Sequence, residues 1–309
     1  MVLKSINLAV NDYCNNRCIM CNIWKNKWKN KMSVIDYEKL FEKREFDKVE
    51  EISISGGEPL LRKDLFKITD IIISKTPMLK QIFLNTNGTF PSKTKNFIKK
   101  YAKKVKMLYL CIPIEGNKKI HKKVRGVDSY DQVINTIKLC KDLPFKNVRV
   151  IISTTLVSIN SSRDNLSYIK ELAKSLKCGW TFRLAGKSES YYLNQKLKKS
   201  LKISGGKIKQ IIKFIKKFCM RDPFMRFQKK FLEEGRFSFK CSAGDTFVFI
   251  QADGKIYPCI FSVRVIGNKN KGLFRKEIKD LGKFETCPCC TECTFYPIFN
   301  FDKKFKYIA

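Results

Sequence analysis

Short apolar segments alternate with amphipathic ones along the first 184 residues. Six apolar segments are typical of strands: 2–10, 49–55, 81–85, 105–112, 147–155 and 179–184. Helical spacing of apolar residues predicts helices at 34–44, 64–74, 93–104, 130–141 and 164–176. Ser33 and Asp36 predict a capping box at the first helix, and Asp128 or Ser129 is positioned to cap the fourth. The alternation predicts an α/β fold of six parallel βα units, either an open sheet or a partial TIM-like barrel.

The pattern changes at residue 187, where lysines accompany Ile and Phe at helical spacing as far as residue 240. This segment predicts a basic helical bridge. From Cys241 onward the segments are shorter, and Asp253-Gly254 predicts a hairpin between strands 247–250 and 255–257. We therefore divide the chain into a barrel domain over 1–186, the bridge over 187–240 and a small cysteine-rich module over 241–309.

The charge is strongly positive, since 63 Lys and Arg residues face 28 Asp and Glu residues, which gives a formal net charge of +35. Such a field favours anionic partners, although lysines spread over solvated faces are an alternative explanation. Because the lysines are scattered rather than gathered with arginines and aromatic platforms, nucleic acid is not favoured as the partner. No segment has the length and apolar character of a membrane span, and the N-terminus lacks a secretory signal. The sequence thus predicts a cytoplasmic protein.

Thirteen cysteines are distributed unevenly along the chain. In a reducing compartment and a chain of this size they do not predict a disulfide framework. Three lie within residues 14–21 and six within residues 241–293. The other four occur in apolar or helical contexts and are expected to be buried core thiols: Cys111, Cys140, Cys178 and Cys219.

The first cysteine group directly follows the first predicted strand, with Cys14, Cys18 and Cys21 separated by three and two residues. Three thiolates on one loop can converge on one face of a 4Fe-4S cluster, most of which take four protein thiolates. A site with three ligands leaves one iron open to bind a small molecule, as a catalytic zinc site keeps one open position. A zinc site that borrows a distant cysteine is an alternative, although His121 is the only histidine available. Fortuitous spacing is another.

The segment from Cys14 to Cys21 matches the pattern C-x3-C-x-Φ-C, with Met20 at the Φ position. It resembles the radical S-adenosylmethionine (radical SAM) superfamily. The resemblance implies that the open iron binds S-adenosylmethionine, which one electron then cleaves into methionine and a 5′-deoxyadenosyl radical. It also implies an external electron donor of the flavodoxin or ferredoxin type.

Further motifs in the predicted barrel support the resemblance in order along the chain. Gly56-Gly57-Glu58-Pro59 looks like the GGEP motif of the family, which contacts the methionyl amine. Ile112 to Gly116 resembles the Ser-Leu-Asp-Gly of relatives, with Pro113 in place of Ser and Glu115 in place of Asp. His121 with Arg125-Gly126 fits the His…Arg-Gly pattern that follows. The residues that the resemblance implies at the cofactor are Met20, Gly56, Gly57, Glu58, Pro59, Asn87, Glu115, Arg125 and Asn160.

The positions of these motifs supply an argument from fold alone. Each lies at the carboxyl end of a predicted strand, where the loops of α/β barrels and open sheets converge to form ligand sites. Motifs that are remote in sequence are therefore expected to share one mouth.

The second cysteine group resembles the opening of the SPASM and twitch extensions of the same superfamily. Cys241 is followed by twelve residues, Gly254, four residues and Cys259. The resemblance implies one auxiliary 4Fe-4S cluster held by Cys241, Cys259, Cys287 and Cys290, with Cys293 as a substitute for one of the last pair. A structural zinc site built from the same thiolates is the alternative.

The sequence thus predicts a radical SAM enzyme that abstracts hydrogen from an unidentified substrate. Peptide-maturing relatives often carry an N-terminal leader-binding domain, and here the cluster loop begins at residue 14. We therefore expect a small anionic substrate, phosphorylated or sugar-like. A maturase or epimerase of ribosomal peptides is the alternative within the superfamily. A non-catalytic, basic, zinc-binding protein that binds nucleic acid is the alternative from another class.

Overall fold

The computed structural model describes residues 2–26, 31–197, 201–235 and 241–274, together with the backbone of 237–238 and 286–287. The strands within these residues are β1 Ser5–Ala9, β2 Glu51–Ser55, β3 Gln81–Asn85, β4 Met107–Ile112, β5 Val148–Leu156, β6 Gly179–Leu184, β7 Phe237–Ser238, β8 Phe247–Ile250, β9 Lys255–Tyr257, β10 Gly267–Asn268, β11 Gly272–Leu273 and β12 Thr286–Cys287. The α-helices within the described residues are α1 Val34–Phe41, α2 Leu65–Lys75, α3 Pro91–Tyr101, α4 Lys118–Arg125, α5 Tyr130–Lys141, α6 Arg163–Ser175, α7 Gly205–Phe218 and α8 Pro223–Glu234.

Strands β1 to β6 lie side by side in sequence order and are all parallel. A helix follows each of the first five and returns the chain to the amino end of the next strand, as parallel connections require. The predicted α/β class and partial barrel are confirmed. The capping box of α1 is also confirmed, because the Ser33 side chain accepts from the Asp36 amide and the Asp36 side chain accepts from the Ser33 amide.

The two faces of the barrel strands differ in chemistry, as β2 illustrates. Ile52 and Ile54 are buried in the main hydrophobic core, which packs against the surrounding helices. Ser53 and Ser55 point the other way and line a cavity. Because side chains alternate across a strand, the same alternation along the sheet gives an apolar outer face and a polar barrel interior.

Helix α4 was not among the predicted helices. It is short, and only His121 and Val124 are buried on it. Its ends nevertheless carry recognisable signals: the Asn117 side chain accepts from the Ile120 amide, and Gly126 ends the helix with φ of 70°. Apolar periodicity fails here because two residues are too few to define a face.

The predicted hairpin is confirmed, since β8 and β9 are antiparallel and Gly254 adopts φ of 87° at the turn. Its location was not foreseen from the sequence. Strand β8 lies beside β1 and is parallel to it, so the hairpin extends the barrel sheet, and β10 and β11 continue it. Strands β7 and β12 pair separately. The three-part division of the chain stays a prediction.

Helices α7 and α8 fall inside the segment predicted to form a helical bridge. They form a second hydrophobic core with the end of the barrel, in which Phe214 and Phe224 are buried with Phe182 of β6 and Phe247 of β8. No helix in the described part of the chain is long and apolar enough to cross a membrane. The cytoplasmic location stays a prediction.

Candidate active site at the barrel mouth

A cavity of about 200 Å³ lies where the loops after the barrel strands converge. All three cysteines of the first group line it: Cys14, Cys18 and Cys21. Five of the predicted cofactor-binding residues line it as well: Met20, Gly56, Gly57, Asn87 and Arg125. The other four lie outside its lining: Glu58, Pro59, Glu115 and Asn160. The fold therefore brings the cysteine loop to the same mouth as the loops after β2, β3 and β4.

The cysteine loop is held in place by helix α4. The Arg17 amide donates to the carbonyl oxygen of Arg125, and the Ile19 amide donates to that of Val124, both at 3.0 Å. Gly126 permits this close approach, because a Cβ atom there would lie 2.2 Å from the Arg17 carbonyl oxygen. The helix that the sequence did not reveal is thus the support of the loop that carries the three thiols.

The three thiols lie in a setting that disfavours thiolates unless a cation is close. Burial raises the pKa of Cys14 to about 11 and that of Cys21 to about 12, and it raises the pKa of Cys18 as well. Arg125 supplies one positive charge. Burial lowers its pKa, but Cys18, Glu115 and the other two thiols outweigh burial and raise it. The Nε atom of Arg125 is buried and has no hydrogen-bond partner.

These observations fit an iron–sulfur cluster in the cavity. The donor set is three thiols, which are the ligands that such clusters take, and the irons would supply the positive charge that buried thiolates need. In the part of the chain that the structure describes, no three His, Cys, Asp or Glu side chains converge on a single metal ion. The thiolates of a 4Fe-4S cluster each bind a different iron, so the geometry required of them differs from that of a single-ion site.

Glu58 joins the loop after β2 to the loop after β3. Its carboxylate accepts from the Asn87 amide at 2.6 Å, from the Thr86 hydroxyl at 2.8 Å and from the Leu60 amide at 3.0 Å. Burial raises its pKa to about 7 despite these hydrogen bonds. Its carboxylate thus links the loop after β2 to the loop after β3 beside the cavity. Its contact with the cofactor stays a prediction.

Asn87 extends the same connection to the cysteine loop. Its Nδ2 atom donates to Asn15 Oδ1 at 2.7 Å, and its Oδ1 atom accepts from the Thr89 amide and hydroxyl. The Asn15 amide group in turn donates to the Thr89 hydroxyl. Asn87 therefore lines the cavity and ties the loop that carries Cys14 to the end of β3.

Glu115 organises the wall below Arg125. Arg125 Nη1 donates to Glu115 Oε1 at 3.3 Å, and the Thr155 amide donates to Oε2 at 2.9 Å. Asn160 donates to the Glu115 side chain and backbone, while its own Oδ1 accepts from the Val157 amide. His121 accepts a hydrogen bond from the Glu115 amide. Glu115 and Asn160 thus hold the β4 and β5 loops together and orient Arg125 towards the thiols.

Gly56 and Gly57 let the loop after β2 pass against the start of the cysteine loop. A Cβ atom on Gly57 would lie 1.9 Å from the Tyr13 carbonyl oxygen, and Gly56 adopts φ of 145°. The Gly57 amide donates to the carbonyl oxygen of Asn11, and the Glu58 amide to that of Tyr13. Only glycines allow backbone contact of this kind.

The segment after β6 covers this arrangement, and its two tyrosines were not singled out from the sequence. Tyr191 and Tyr192 line the cavity, and the Tyr191 hydroxyl donates to the Gly56 carbonyl oxygen at 2.9 Å. The Asn22 amide donates to the Tyr192 carbonyl oxygen, and Asn194 Nδ2 donates to that of Met20. An adjacent tyrosine pair in a lysine-rich segment was the available signal, but sequence alone does not show where that segment packs.

For Cys111 the prediction of a buried core thiol is wrong. It is half-buried and lines the cavity with the three loop cysteines, because β4 places it on the polar inner face. Cys140 is buried in the main core, as expected. Cys178 and Cys219 are half-buried and pack against the two core clusters. A residue at an inward position of a barrel strand faces the mouth, and apolar context does not reveal that orientation.

The second cysteine group is only partly within the described residues. Cys241 and Cys259 are half-buried, and both pack against the second core cluster. Only the backbone of Cys287 is described, and Cys290 and Cys293 lie outside the described residues. The ligand set of the auxiliary cluster therefore stays a prediction.

Comparison with known proteins gives consistent results. The family model described as "Radical SAM superfamily" matches residues 8–176, more than half of the chain. A GTP 3′,8-cyclase of Aquifex aeolicus is 28% identical over 283 residues, which cover 84% of this chain and 82% of that protein. A protein of Methanocaldococcus jannaschii named "Probable GTP 3′,8-cyclase" is 23% identical over 267 residues, which cover 84% and 85%.

Two solved structures share the fold. SuiB of Streptococcus suis bound to the precursor peptide SuiA has a TM-score of 0.62 at 16% identity, covering 84% of this chain. The matched region spans 60% of the length of SuiB. Native anSMEcpe with bound AdoMet and the Cp18Cys peptide has a TM-score of 0.58 at 18% identity, covering 98% of this chain and 81% of that one.

The fold and the site define an α/β-barrel enzyme with a three-cysteine loop at the carboxyl ends of its strands. This chain belongs to the radical SAM superfamily. Membership implies a 4Fe-4S cluster and S-adenosylmethionine as cofactors.

Proposed function

We propose that this enzyme binds a 4Fe-4S cluster through Cys14, Cys18 and Cys21 and uses it to cleave S-adenosylmethionine reductively. The observation that carries the proposal is that these thiols line one cavity with Gly56 and Asn87, at the mouth of a parallel barrel. When bound, the cluster supplies an electron to S-adenosylmethionine and yields a 5′-deoxyadenosyl radical, which abstracts hydrogen from the substrate.

The residues of the chain have separate tasks in this proposal. Gly56 and Gly57, with Pro59 behind them, would form the backbone edge that holds the methionyl group, and Met20 and Asn87 would border it. Glu58 and Asn160 hold the surrounding loops together by the hydrogen bonds described above. Arg125 faces the thiols and is oriented by Glu115, and its unpartnered Nε is a donor available to a carboxylate or a cluster sulfide.

We infer that the substrate is a small anionic molecule, phosphorylated or sugar-like. Arg183, at the carboxyl end of β6, lines the cavity, and the net charge of +35 attracts anions. The relatives named GTP 3′,8-cyclases favour a nucleoside triphosphate as the first candidate. The structures with bound peptides share the fold, and a peptide substrate is the alternative.

An auxiliary 4Fe-4S cluster in a shortened SPASM or twitch module is part of the proposal. Cys241 and Cys259 pack against one hydrophobic cluster beside the barrel, with the hairpin between them. Cys287 and Cys290 complete the proposed set, and Cys293 is the substitute. Such a cluster would accept an electron from the substrate radical in a net oxidation, or would orient the substrate.

The experiment is an anaerobic reconstitution with iron and sulfide, reduction by dithionite and assay for 5′-deoxyadenosine, with the variant Cys14→Ala as the control. We expect product from the wild type only, and more of it when GTP is present. If the wild type yields no more than Cys14→Ala, the enzyme function proposed here is wrong. Zinc with little iron in the purified protein would instead favour the zinc-binding alternative. Iron near four per chain rather than eight would remove the auxiliary cluster.

A second candidate function rests on Cys111. Its thiol lines the same cavity as the cluster cysteines, where a substrate radical would form. In an epimerisation the Cys111 Sγ–H would give its hydrogen atom to the substrate radical, and the resulting thiyl radical would take an electron and a proton from the external donor. Turnover in D₂O distinguishes the two: deuterium in the product that is lost in Cys111→Ala supports epimerisation, and its absence in the wild type contradicts it.

A further inference from the structure

Helix α4 has two faces with opposite roles. One face supports the cysteine loop: Val124 lies in a hydrophobic cluster with Met20, and Cys18 and Ile120 pack against that cluster. The backbone at the helix end accepts hydrogen bonds from Arg17 and Ile19, the residues on either side of Cys18. The helix surface next to this contact is therefore among the exposed surfaces nearest to the site.

The other face of α4 carries exposed lysines. Lys118 and Lys122 form ion pairs with Asp131 and Asp128. Lys119 and Lys123 lie one turn apart and directly precede Ile120 and Val124, the two residues of α4 that pack with Met20 and Cys18. Both are exposed, and the ion pairs of the described residues include neither.

Arg17 adds a third cation beside these lysines. It is exposed, stands between Cys14 and Cys18 in sequence, and its Cβ packs against the end of α4 at Gly126. We name Arg17, Lys119 and Lys123 the α4 cationic face. These three side chains place positive charge on the surface beside the loop whose thiols line the cavity.

We propose that the α4 cationic face is the docking surface for an acidic electron-donor protein. The inference rests on the proposed function, since a cluster held by Cys14, Cys18 and Cys21 needs one electron from outside for each cleavage. The donor protein is oxidised by one electron, and the cluster is reduced by one. Electrostatic complementarity steers an acidic protein to this face and fixes its orientation.

The net charge of +35 would attract an acidic protein to much of the surface, so the proposal depends on place as well as charge. Lys99 and Lys103 provide a comparison. Both are exposed, Lys99 in the last turn of α3 and Lys103 in the turn that follows it, and the ion pairs of the described residues include neither. Helix α3 runs back from the mouth, so its last residues lie at the opposite end of the barrel, far from the cysteine loop.

The test compares Lys119→Glu/Lys123→Glu with Lys99→Glu/Lys103→Glu, which change the net charge equally. Purified flavodoxin is the probe, and its Kd for each reconstituted protein is measured by biolayer interferometry at low and high salt. We expect the first variant to weaken binding about tenfold or more at low salt and the second to change it less than threefold. Equal weakening in both variants, or no weakening in either, would overturn the proposal.

A second readout separates this inference from the proposed function. Formation of 5′-deoxyadenosine is measured with reduced flavodoxin and, separately, with dithionite, which needs no docking surface. We expect Lys119→Glu/Lys123→Glu to lose rate with flavodoxin and to match the wild type with dithionite. A variant that loses both rates equally contradicts docking at this face. A wild type that makes no product with dithionite contradicts the proposed function, whereas the binding measurement still tests the surface.

Discussion

The hydroxyl of Tyr191 donates a hydrogen bond to the carbonyl oxygen of Gly56 at 2.9 Å. The two residues are 135 positions apart, and the contact joins the segment after β6 to the glycine loop after β2. The Tyr191 ring also packs against Phe249 of β8. The Tyr191 side chain therefore links three parts of the chain: the glycine loop after β2, the segment after β6 and the hairpin that extends the barrel.

Replacement of Tyr191 by Phe should weaken S-adenosylmethionine binding without unfolding the protein. The ring and its packing remain, but the Gly56 carbonyl loses a neutral hydrogen bond, typically about 1 kcal/mol, so Kd should rise roughly two- to tenfold. Equilibrium dialysis of the reconstituted protein measures this. Tyr168→Phe is the matched control, since its hydroxyl bonds that of Tyr130 and neither residue lines the cavity. An unchanged Kd in Tyr191→Phe would show that the contact does not position the loop.

Gly126→Ala should release the cysteine loop. Gly126 and Gly235 both end helices with positive φ, of 70° and 75°. An alanine costs on the order of 1 kcal/mol of backbone strain at either position. Only at Gly126 does the new Cβ collide, at 2.2 Å from the Arg17 carbonyl oxygen, whereas at Gly235 no atom of the described residues lies within 4 Å of it. We therefore expect Gly126→Ala to retain less iron after reconstitution and Gly235→Ala to retain as much as wild type. Equal iron contents would refute the supporting role of α4.

Much of the fold can be predicted from the sequence, because the barrel strands and helices carry strong periodicity. Strand β3 and helix α5 match the predicted bounds, and the hairpin at Gly254 is where Asp-Gly places it. Helix α4 was not predicted because its two buried residues are too few to define an apolar face. The pairing of β8 with β1 was not predicted because it joins segments about 240 residues apart. The local sequence pattern carries no information about such distant contacts.

The candidate site was likewise predicted only in part. The spacing of Cys14, Cys18 and Cys21 identified the loop, and strand-end positions identified its neighbours. Tyr191 and Cys111 were not identified, because each reaches the cavity through packing or strand orientation. The contact of Glu58 with the cofactor stays a prediction; its carboxylate accepts three hydrogen bonds within the protein, which the sequence did not indicate.

Removal of Arg125 should destabilise the apoprotein through Glu115. Glu115 is buried, and Arg125 is its cationic partner at 3.3 Å. Arg125→Gln removes the cation that is hydrogen-bonded to this buried carboxylate and leaves only the charge of Arg183 nearby, so we expect a loss of about 3 kcal/mol in the free energy of unfolding. The double variant Arg125→Gln/Glu115→Gln should recover part of this loss. Urea unfolding of the wild type, Arg125→Gln, Glu115→Gln and the double variant measures the coupling, and strict additivity would mean that the pair does not interact.

Glu51 makes the stability of the protein depend on pH, and its raised pKa determines the direction of that dependence. It lies in the barrel wall below the site, with the Ser5 hydroxyl as a donor at 3.0 Å, and burial raises its pKa to about 7. In the unfolded chain the pKa of this carboxyl is near 4.5. Below that pH the carboxyl is neutral in both the folded and the unfolded state, so it does not lower the free energy of unfolding. Stability then falls as pH rises from about 4.5 to about 7, by up to roughly 3 kcal/mol.

Glu51→Gln should remove this loss. We expect its melting temperature to exceed that of the wild type at pH 8 and the difference to shrink towards pH 4.5, as measured by circular dichroism on the apoprotein. Glu38→Gln, on the exposed side of α1, is the control and should show no such trend. A difference that grows as pH falls would contradict the assignment.

The central claim is that Cys14, Cys18 and Cys21 hold a cluster with one iron open to S-adenosylmethionine. The most direct measurement is the electron paramagnetic resonance spectrum of the reduced protein, recorded in a Cys241→Ala/Cys259→Ala background that silences the proposed auxiliary cluster. The account predicts a 4Fe-4S signal that changes shape when S-adenosylmethionine is added and that is lost in Cys18→Ala. A signal that S-adenosylmethionine leaves unchanged, or that survives Cys18→Ala, would contradict it.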